Sequence, residues 1–175
     1  MVGGMVSVSF LLKRGIKVDY VLILPMPHIL DLDCEDLTVF VNKERPANQK
    51  GKINLPGGHV EAGEDIISAA QRELFEETGL MPDGEIELMG KIYGDWGNVY
   101  CFSIPVEYQE LKPSVGETEK VYWERYGYLK YSKKLQPNLK VIIPLMFEGQ
   151  TGWKIHDNGP DWTASQHTFS VTLQI

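Results

Sequence analysis

The stretch from Gly58 to Leu80 reads GHVEAGEDIISAAQRELFEETGL, and it carries the strongest structural signal in the chain. Ile67, Ala70 and Leu74 stand at positions i, i+3 and i+7, so they form one apolar stripe at helical spacing. This periodicity predicts an amphipathic helix over residues 64–78. The other elements are placed around this helix.

Both ends of the predicted helix carry residues that suit helix termini. Glu64 and Asp65 are expected in the first turn, where the helix dipole favours negative charge, and Gly79 is the expected C-terminal cap. Gly57 and Gly58 follow a short predicted strand. Because glycine has no side chain, the backbone there can approach a ligand closely.

Three glutamates, Glu73, Glu76 and Glu77, share one face of the predicted helix. Like charges at this spacing destabilise a helix by a few tenths of a kcal/mol per pair, and bound divalent cations would offset that cost. A solvated acidic face is the alternative interpretation. The double glycine and Arg72, which can pair with a carboxylate or a phosphate, favour the metal site.

The full spacing of this stretch resembles the Nudix box, Gly-x5-Glu-x7-Arg-Glu-U-x-Glu-Glu-x-Gly-U, where U is a bulky aliphatic residue. Every defined position matches, with Leu74 and Leu80 as the aliphatic residues. A chance match is on the order of one in 10⁹ per window at average residue usage. The Leu-Pro lead-in before Gly57 and the late Trp123 add weaker similarity. The chain is therefore identified as a member of the Nudix hydrolase family.

The resemblance implies an α+β fold with mixed character. It predicts a Nudix-like α/β/α sandwich with a central mixed sheet, in which the box forms a loop–helix–loop. The Nudix hydrolase domain is expected over residues 1–148, and residues 149–175 are expected to form a C-terminal extension packed on the same domain.

The resemblance also assigns site residues. It implies that Mg²⁺, or Mn²⁺ as a substitute, is bound by Glu73, Glu76, Glu77 and the carbonyl of Gly57. Arg72 is expected to act with the catalytic glutamates, and Glu64 to orient them from a position behind the metal ligands. Many members use a further loop acid as ligand or general base. Glu117, six residues before Trp123, is the candidate, and Glu119 is the alternative.

The function implied is Mg²⁺-dependent hydrolysis of a phosphoanhydride bond in a nucleoside diphosphate linked to another moiety. A nucleoside triphosphate, an ADP-sugar, a dinucleoside polyphosphate and a dinucleotide cofactor all stay open as substrates. A non-catalytic nucleotide-sensing Nudix module is disfavoured, because such modules usually lose box glutamates. A hydrolase of capped RNA ends is disfavoured by the net charge of −7, which also argues against long nucleic acid as a partner.

Three residues outside the box are candidates for substrate contact. Arg45 lies in a basic loop that leads into the box, and Tyr93 and Trp123 belong to an aromatic-rich region that is able to stack on a base. Solvated charge is the default interpretation of this loop, which also contains Lys43, Lys50 and Lys52. Packing in the core or on an edge strand is the alternative for the two aromatic residues.

The remaining sequence predicts further strands and one more helix. Strands are expected over Ser7–Leu12, Tyr20–Leu24 (ended by Pro25 and Pro27), Leu37–Asn42, Lys52–Leu55, Glu85–Tyr93, Val99–Val106, Val121–Trp123 and Thr168–Ile175, and a helix from Gln136 through Met146. Two distant cysteines, no signal peptide and no apolar run long enough to cross a bilayer predict a cytoplasmic protein without membrane attachment. A homodimer formed through the last strand is one expectation.

Overall fold

The computed structural model describes residues 17–28, 35–45, 47, 49–157 and 169–172. The strands are β1 (Val18–Pro27), β2 (Leu37–Asn42), β3 (Ile53–Asn54), β4 (Glu87–Gly94), β5 (Gly97–Val106), β6 (Lys120–Arg125), β7 (Trp153–Asp157) and β8 (Phe169–Thr172). The helices are α1 (Ile66–Thr78), α2 (Tyr126–Leu129) and α3 (Leu139–Phe147). No helix in these ranges is long and apolar enough to span a membrane. The strand predicted over Ser7–Leu12 lies outside the described residues.

The strands form two sheets. The larger has the order β1-β5-β4-β7-β8, with parallel pairs β1·β5 and β4·β7 and antiparallel pairs β4·β5 and β7·β8. The smaller has the order β3-β2-β6 and is antiparallel throughout. The mixed sheet and the α+β class are therefore confirmed, and the smaller sheet is an addition to the predicted architecture.

Helices cover the larger sheet on both faces, and strand β1 shows how the layers arise. Successive side chains of a strand point to opposite faces. Val21 and Ile23 pack in a buried cluster with Ala70 and Leu74 of α1, whereas Leu22 and Leu24 belong to the cluster of α3. One strand thus serves two cores, and the helix of the box is fixed to the centre of the domain.

Strand β1 continues through Pro25 and Pro27, which the sequence predicted as its end. The reason is the direction of its backbone N–H groups. Those of Val21 and Ile23 donate to the carbonyls of residues 58 and 56, on the side of β1 away from β5. By alternation, residues 25 and 27 face that same side, where the larger sheet ends and no ladder donor is needed.

Helix α1 begins two residues later than predicted. Asp65 is its N-cap, and one carboxylate oxygen accepts from the N–H groups of Ile67 and Ser68 at 3.0 Å each. Glu64 therefore precedes the helix and is not in its first turn. The buried face of the helix also differs from the predicted apolar stripe, because Ile67 is 47% exposed while Glu73 lies on the buried face. Gly79 caps the other end at φ 75°, as predicted.

The stretch predicted as a C-terminal extension contributes two strands to the larger sheet. Strand β8 lies in the segment expected to be extended, but β7 was missed because polar and turn-forming residues surround it. Its Trp153 is fully buried and packs so closely on Gly90 of β4 that a Cβ there would meet the indole at 2.1 Å. Strand β7 therefore completes the core beside β4. The boundary between residues 148 and 149 stays a prediction.

Candidate functional site

The three box glutamates lie on one side of α1, but their environments differ. Glu73 and Glu77 are 8% and 7% exposed, whereas the side chain of Glu76 is 43% exposed. The two buried carboxylates face the loop that precedes the helix and the end of β2. Such anions need partners, because burial without compensation is costly.

Arg72 joins the carboxylates on one side of the site. Its Nε and Nη2 donate to the two oxygens of Glu64 at 2.9 Å each, and its Nη1 donates to Glu73 at 2.8 Å and to Glu76 at 3.2 Å. Nη2 also donates to the carbonyl of His59 at 3.0 Å. These hydrogen bonds, led by the pair with Glu64, raise the pKa of Arg72, so its charge is permanent.

Glu77 is held from two directions. Its Oε2 accepts from the N–H of Gly57 at 2.9 Å, and its Oε1 accepts from the ammonium of Lys43 at 3.1 Å. Burial raises the pKa of Glu77 to about 7, although both partners act in the opposite direction. Burial also raises the pKa of Glu73, with Arg72 opposing it. Glu64, Glu73 and Glu76 share the one charge of Arg72, and Glu77 shares that of Lys43 with a further acid, so the carboxylates outnumber the cations that pair with them.

Glu119 joins the site through three consecutive residues after β2. Its Oε2 accepts from Lys43 at 2.7 Å, and its Oε1 accepts from the N–H groups of Glu44 and Arg45 at 3.0 and 3.3 Å. Glu117, the first candidate from the sequence, is exposed, and its own N–H bonds to a neighbouring loop carbonyl. Of the two acids, the structure brings Glu119 next to the box.

Lys43 is the site residue that sequence analysis missed, because a lysine in a basic loop is usually solvated. Its side chain is only 11% exposed and lies between Glu77 and Glu119. Burial acts to lower the pKa of Lys43, but the two carboxylates outweigh it and the pKa is raised. The available signal was its position, directly after the predicted end of β2.

The double glycine places backbone against the carboxylates. The carbonyls of Pro56 and Gly58 accept from β1 at 2.9 and 2.8 Å. Between them, the N–H of Gly57 donates to Oε2 of Glu77 at 2.9 Å. Gly57 has φ 150°, which favours glycine, and a Cβ on Gly58 would lie 2.3 Å from an oxygen of Glu73.

The donor set suits a hard divalent cation. Among the residues that the structure describes, no three acids or histidines converge closely enough to form a metal cluster as their side chains stand. Arg72 and Lys43 instead share the carboxylates between them. The two buried carboxylates with raised pKa values would be stabilised by a further cation, and oxygen ligands are those that Mg²⁺ and Mn²⁺ prefer.

Arg45, Tyr93 and Trp123 are the weaker candidates for substrate contact. In the described part of the chain, none of their side chains forms a hydrogen bond with the carboxylates of the site. Arg45 is exposed and contributes its backbone N–H. The indole of Trp123 donates to a loop carbonyl at 2.9 Å, and its ring lies 5.1 Å from that of Tyr108. Tyr93 stacks on His156 at 5.3 Å. Their roles toward a substrate stay predictions.

Comparison with known proteins identifies the family of this chain. The profile of the NUDIX domain matches residues 32–146, about two thirds of the chain, so the protein belongs to the Nudix hydrolase family. Phosphatase NudJ of Escherichia coli K12 and of Shigella flexneri is 35% identical over 77 residues, which cover 43% of this chain. The match covers 50% of the length of each of these relatives.

Solved structures show the same fold. The MutT protein of Bacillus halodurans aligns with a TM-score of 0.67 at 19% identity, over 88% of this chain and 97% of its own. The NUDIX domain of Shewanella oneidensis NrtR, crystallised with ADP ribose, aligns with a TM-score of 0.63 at 18% identity, over 76% of this chain and 88% of its own. These similarities confirm the Nudix fold.

Proposed function

We propose that this protein hydrolyses a phosphoanhydride bond in a nucleoside diphosphate derivative, with Mg²⁺ as the physiological cation and Mn²⁺ as a substitute. The observation that carries the proposal is the buried pair of carboxylates, Glu73 and Glu77, beside the double glycine. Membership of the Nudix hydrolase family supports it, because divalent-metal dependence is general there. The alternative, a solvated acidic face, would leave its carboxylates in water, whereas Glu73 and Glu77 are buried.

The metal would be held by Glu73, Glu76, Glu77 and the carbonyl of Gly57. When bound, it would supply charge neutralisation for the pyrophosphate and for the charge that develops in the transition state. Arg72 has the task of orientation, since it fixes Glu73 and Glu76. Glu64 in turn fixes the guanidinium with two hydrogen bonds.

Glu119 is our candidate for the proton acceptor. A carboxylate can take the proton from the attacking water, provided that it lies within hydrogen-bonding reach of the reacting centre. Glu119 shares Lys43 with Glu77, and two backbone N–H groups fix its orientation. Glu117 points into solvent from the loop before it and is therefore the less suitable acid.

Paired substitutions test this assignment. With Mg²⁺ and a cleaved nucleotide, Glu119→Gln is expected to lower kcat about 10²-fold or more, whereas Glu117→Gln keeps wild-type turnover. Glu76→Gln should abolish turnover with the fold intact, since it removes a metal ligand that is not part of the core. Equal activity of the Glu119 and Glu117 variants would remove Glu119 from the mechanism. Full activity of Glu76→Gln would remove the metal site itself.

The substrate class is proposed as a small nucleotide: a nucleoside triphosphate, an ADP-sugar, a dinucleoside polyphosphate or a dinucleotide cofactor. The NUDIX domain of Shewanella oneidensis NrtR, which has a similar fold, was crystallised with ADP ribose, and this supports a nucleoside diphosphate derivative as the substrate here. A screen of these four classes with Mg²⁺ and Mn²⁺, scored by released phosphate or nucleoside monophosphate, decides among them. Binding without any cleavage would instead favour a sensing module.

The salt dependence of binding distinguishes a capped RNA end from a small nucleotide as the substrate. Binding through many phosphates falls steeply with salt, whereas binding of a short nucleotide at a metal site falls little.

We also propose a cytoplasmic location, and the buried free thiol of Cys101 agrees with a reducing compartment. A homodimer through β8, which forms one edge of the larger sheet, is testable by light scattering.

A further inference from the structure

Among the residues that the structure describes, Lys43 is the one whose cation touches both Glu77 and Glu119. Its ammonium lies 3.1 Å from Oε1 of Glu77 on α1 and 2.7 Å from Oε2 of Glu119, the residue before β6. These acids are 42 positions apart in the sequence, and all three side chains are about nine-tenths buried. The side chain of Lys43 thus joins an acid of helix α1 to an acid immediately before β6 through ion pairs.

The backbone of Lys43 is fixed independently of this link. Its N–H donates to the carbonyl of Lys52 at 2.9 Å, and its carbonyl accepts from Gly51 at 2.8 Å. The four-carbon stem of lysine rotates freely about its bonds, unlike the rigid fork of arginine. The ammonium can therefore leave the carboxylates while the loop stays in place.

Both oxygens of Glu77 already accept a hydrogen bond, Oε1 from the ammonium of Lys43 and Oε2 from the N–H of Gly57, so a divalent cation bound to Glu77 without moving Lys43 would lie beside that ammonium. Like charges this close in a buried site repel strongly. From this geometry we propose that Lys43 is a built-in counter-ion: it holds Glu77 and Glu119 together in the metal-free protein and competes with the divalent cation for them. Lys43 is in this sense a positioning residue that acts through the two acids.

This inference rests on the proposed function, because it needs a divalent cation at the box. A competing role and a purely structural role for Lys43 predict opposite changes in metal affinity when the lysine is removed. If Lys43 only stabilised the fold, its removal would leave metal affinity unchanged or weaken it. If it competes, removal tightens metal binding while it destabilises the metal-free protein, which is left with two buried carboxylates and no neutralising partner.

The test measures Mn²⁺ binding without nucleotide, by electron paramagnetic resonance of free Mn²⁺, for the wild type and for Lys43→Met. The expected result is a Kd about tenfold lower or better in the variant. A lower Tm in chelator and a larger Mn²⁺-induced rise in Tm should accompany it. The matched control is Lys50→Met, which removes a charge from the same loop at a side chain that is 69% exposed, and its Kd should equal that of the wild type.

A second variant covers failure of Lys43→Met to fold. Lys43→Gln keeps a hydrogen-bond donor beside both acids but has no charge, and the same gain in affinity is expected. An unchanged or higher Kd in the folded Lys43 variant, with normal binding by the wild type, overturns the inference and leaves the proposed function standing. A wild type that binds no Mn²⁺ at millimolar concentration overturns the proposed function.

Discussion

Replacing Glu77 with glutamine should stabilise the metal-free protein at neutral and alkaline pH while it removes the activity. Burial raises the pKa of Glu77 from its ordinary value of 4.5 to about 7. That difference corresponds to roughly 3 kcal/mol of folding free energy carried as a penalty by the ionised form. Glutamine is neutral at every pH. Its amide oxygen is able to accept the hydrogen bond from Gly57, but its NH₂ group then faces the ammonium of Lys43, so the expected gain is smaller than the penalty, about 1 kcal/mol.

The sign of the pH dependence follows from the two pKa values. Between pH 4.5 and about 7, the folded protein keeps the proton on Glu77, whereas the unfolded chain has released it. Raising the pH through this window therefore destabilises the wild type, and above it the penalty is complete. The glutamine variant lacks this slope, so the two proteins should be nearly equally stable at pH 4.5 and differ most at pH 8.

The assay is urea unfolding in chelator at several pH values between 4.5 and 8, for the wild type, Glu77→Gln and the control Glu117→Gln. Subtracting the curves cancels the titration of histidines and of other shared groups. With Mg²⁺ and a substrate, Glu77→Gln should lose at least about 10²-fold in kcat. A difference in unfolding free energy that does not change with pH would refute the electrostatic reasoning for Glu77.

Three further substitutions test the helix and the loop. Asp65→Ala should cost about 1 kcal/mol in urea unfolding, because it removes the N-cap; an unchanged midpoint would contradict this. Leu74→Ala should cost about 2 to 5 kcal/mol and the control Ile67→Ala less than about 0.5, so equal losses would contradict the observed face of α1. Gly58→Ala should push the flexible carboxylate of Glu73 aside, which lowers kcat and Mn²⁺ affinity with little change in Tm.

The central helix and its carboxylates were predictable because their signal is local. Helical periodicity, a capping acid and a left-handed glycine all lie within 65–79, and the structure shows the helix over Ile66–Thr78. The position of the buried face was not predictable from apolar spacing. Glu73 and Glu77 occupy buried positions that apolar residues usually hold, so Ile67 was counted on the wrong side.

The rest of the site depends on contacts between distant segments. Lys43 and Glu119 meet because β2 and β6 pair antiparallel, with Asn42 opposite Lys120. The sequence predicted strands at both places but no register between them, so the choice between Glu117 and Glu119 was open. Strand β7 was missed for a related reason: its partner β4 lies about 60 residues earlier, and such parallel pairing leaves no short-range pattern.

The way in which Glu119 is oriented has a consequence for sequence variation. The donors from Glu44 and Arg45 are main-chain groups, which every residue except proline supplies alike. A saturation scan of these two positions should therefore find a thermal stability that tolerates most residues, with proline as the one substitution excluded at both. The loop can then change its surface chemistry, and with it the molecules that it meets, without disturbing the acid that it orients.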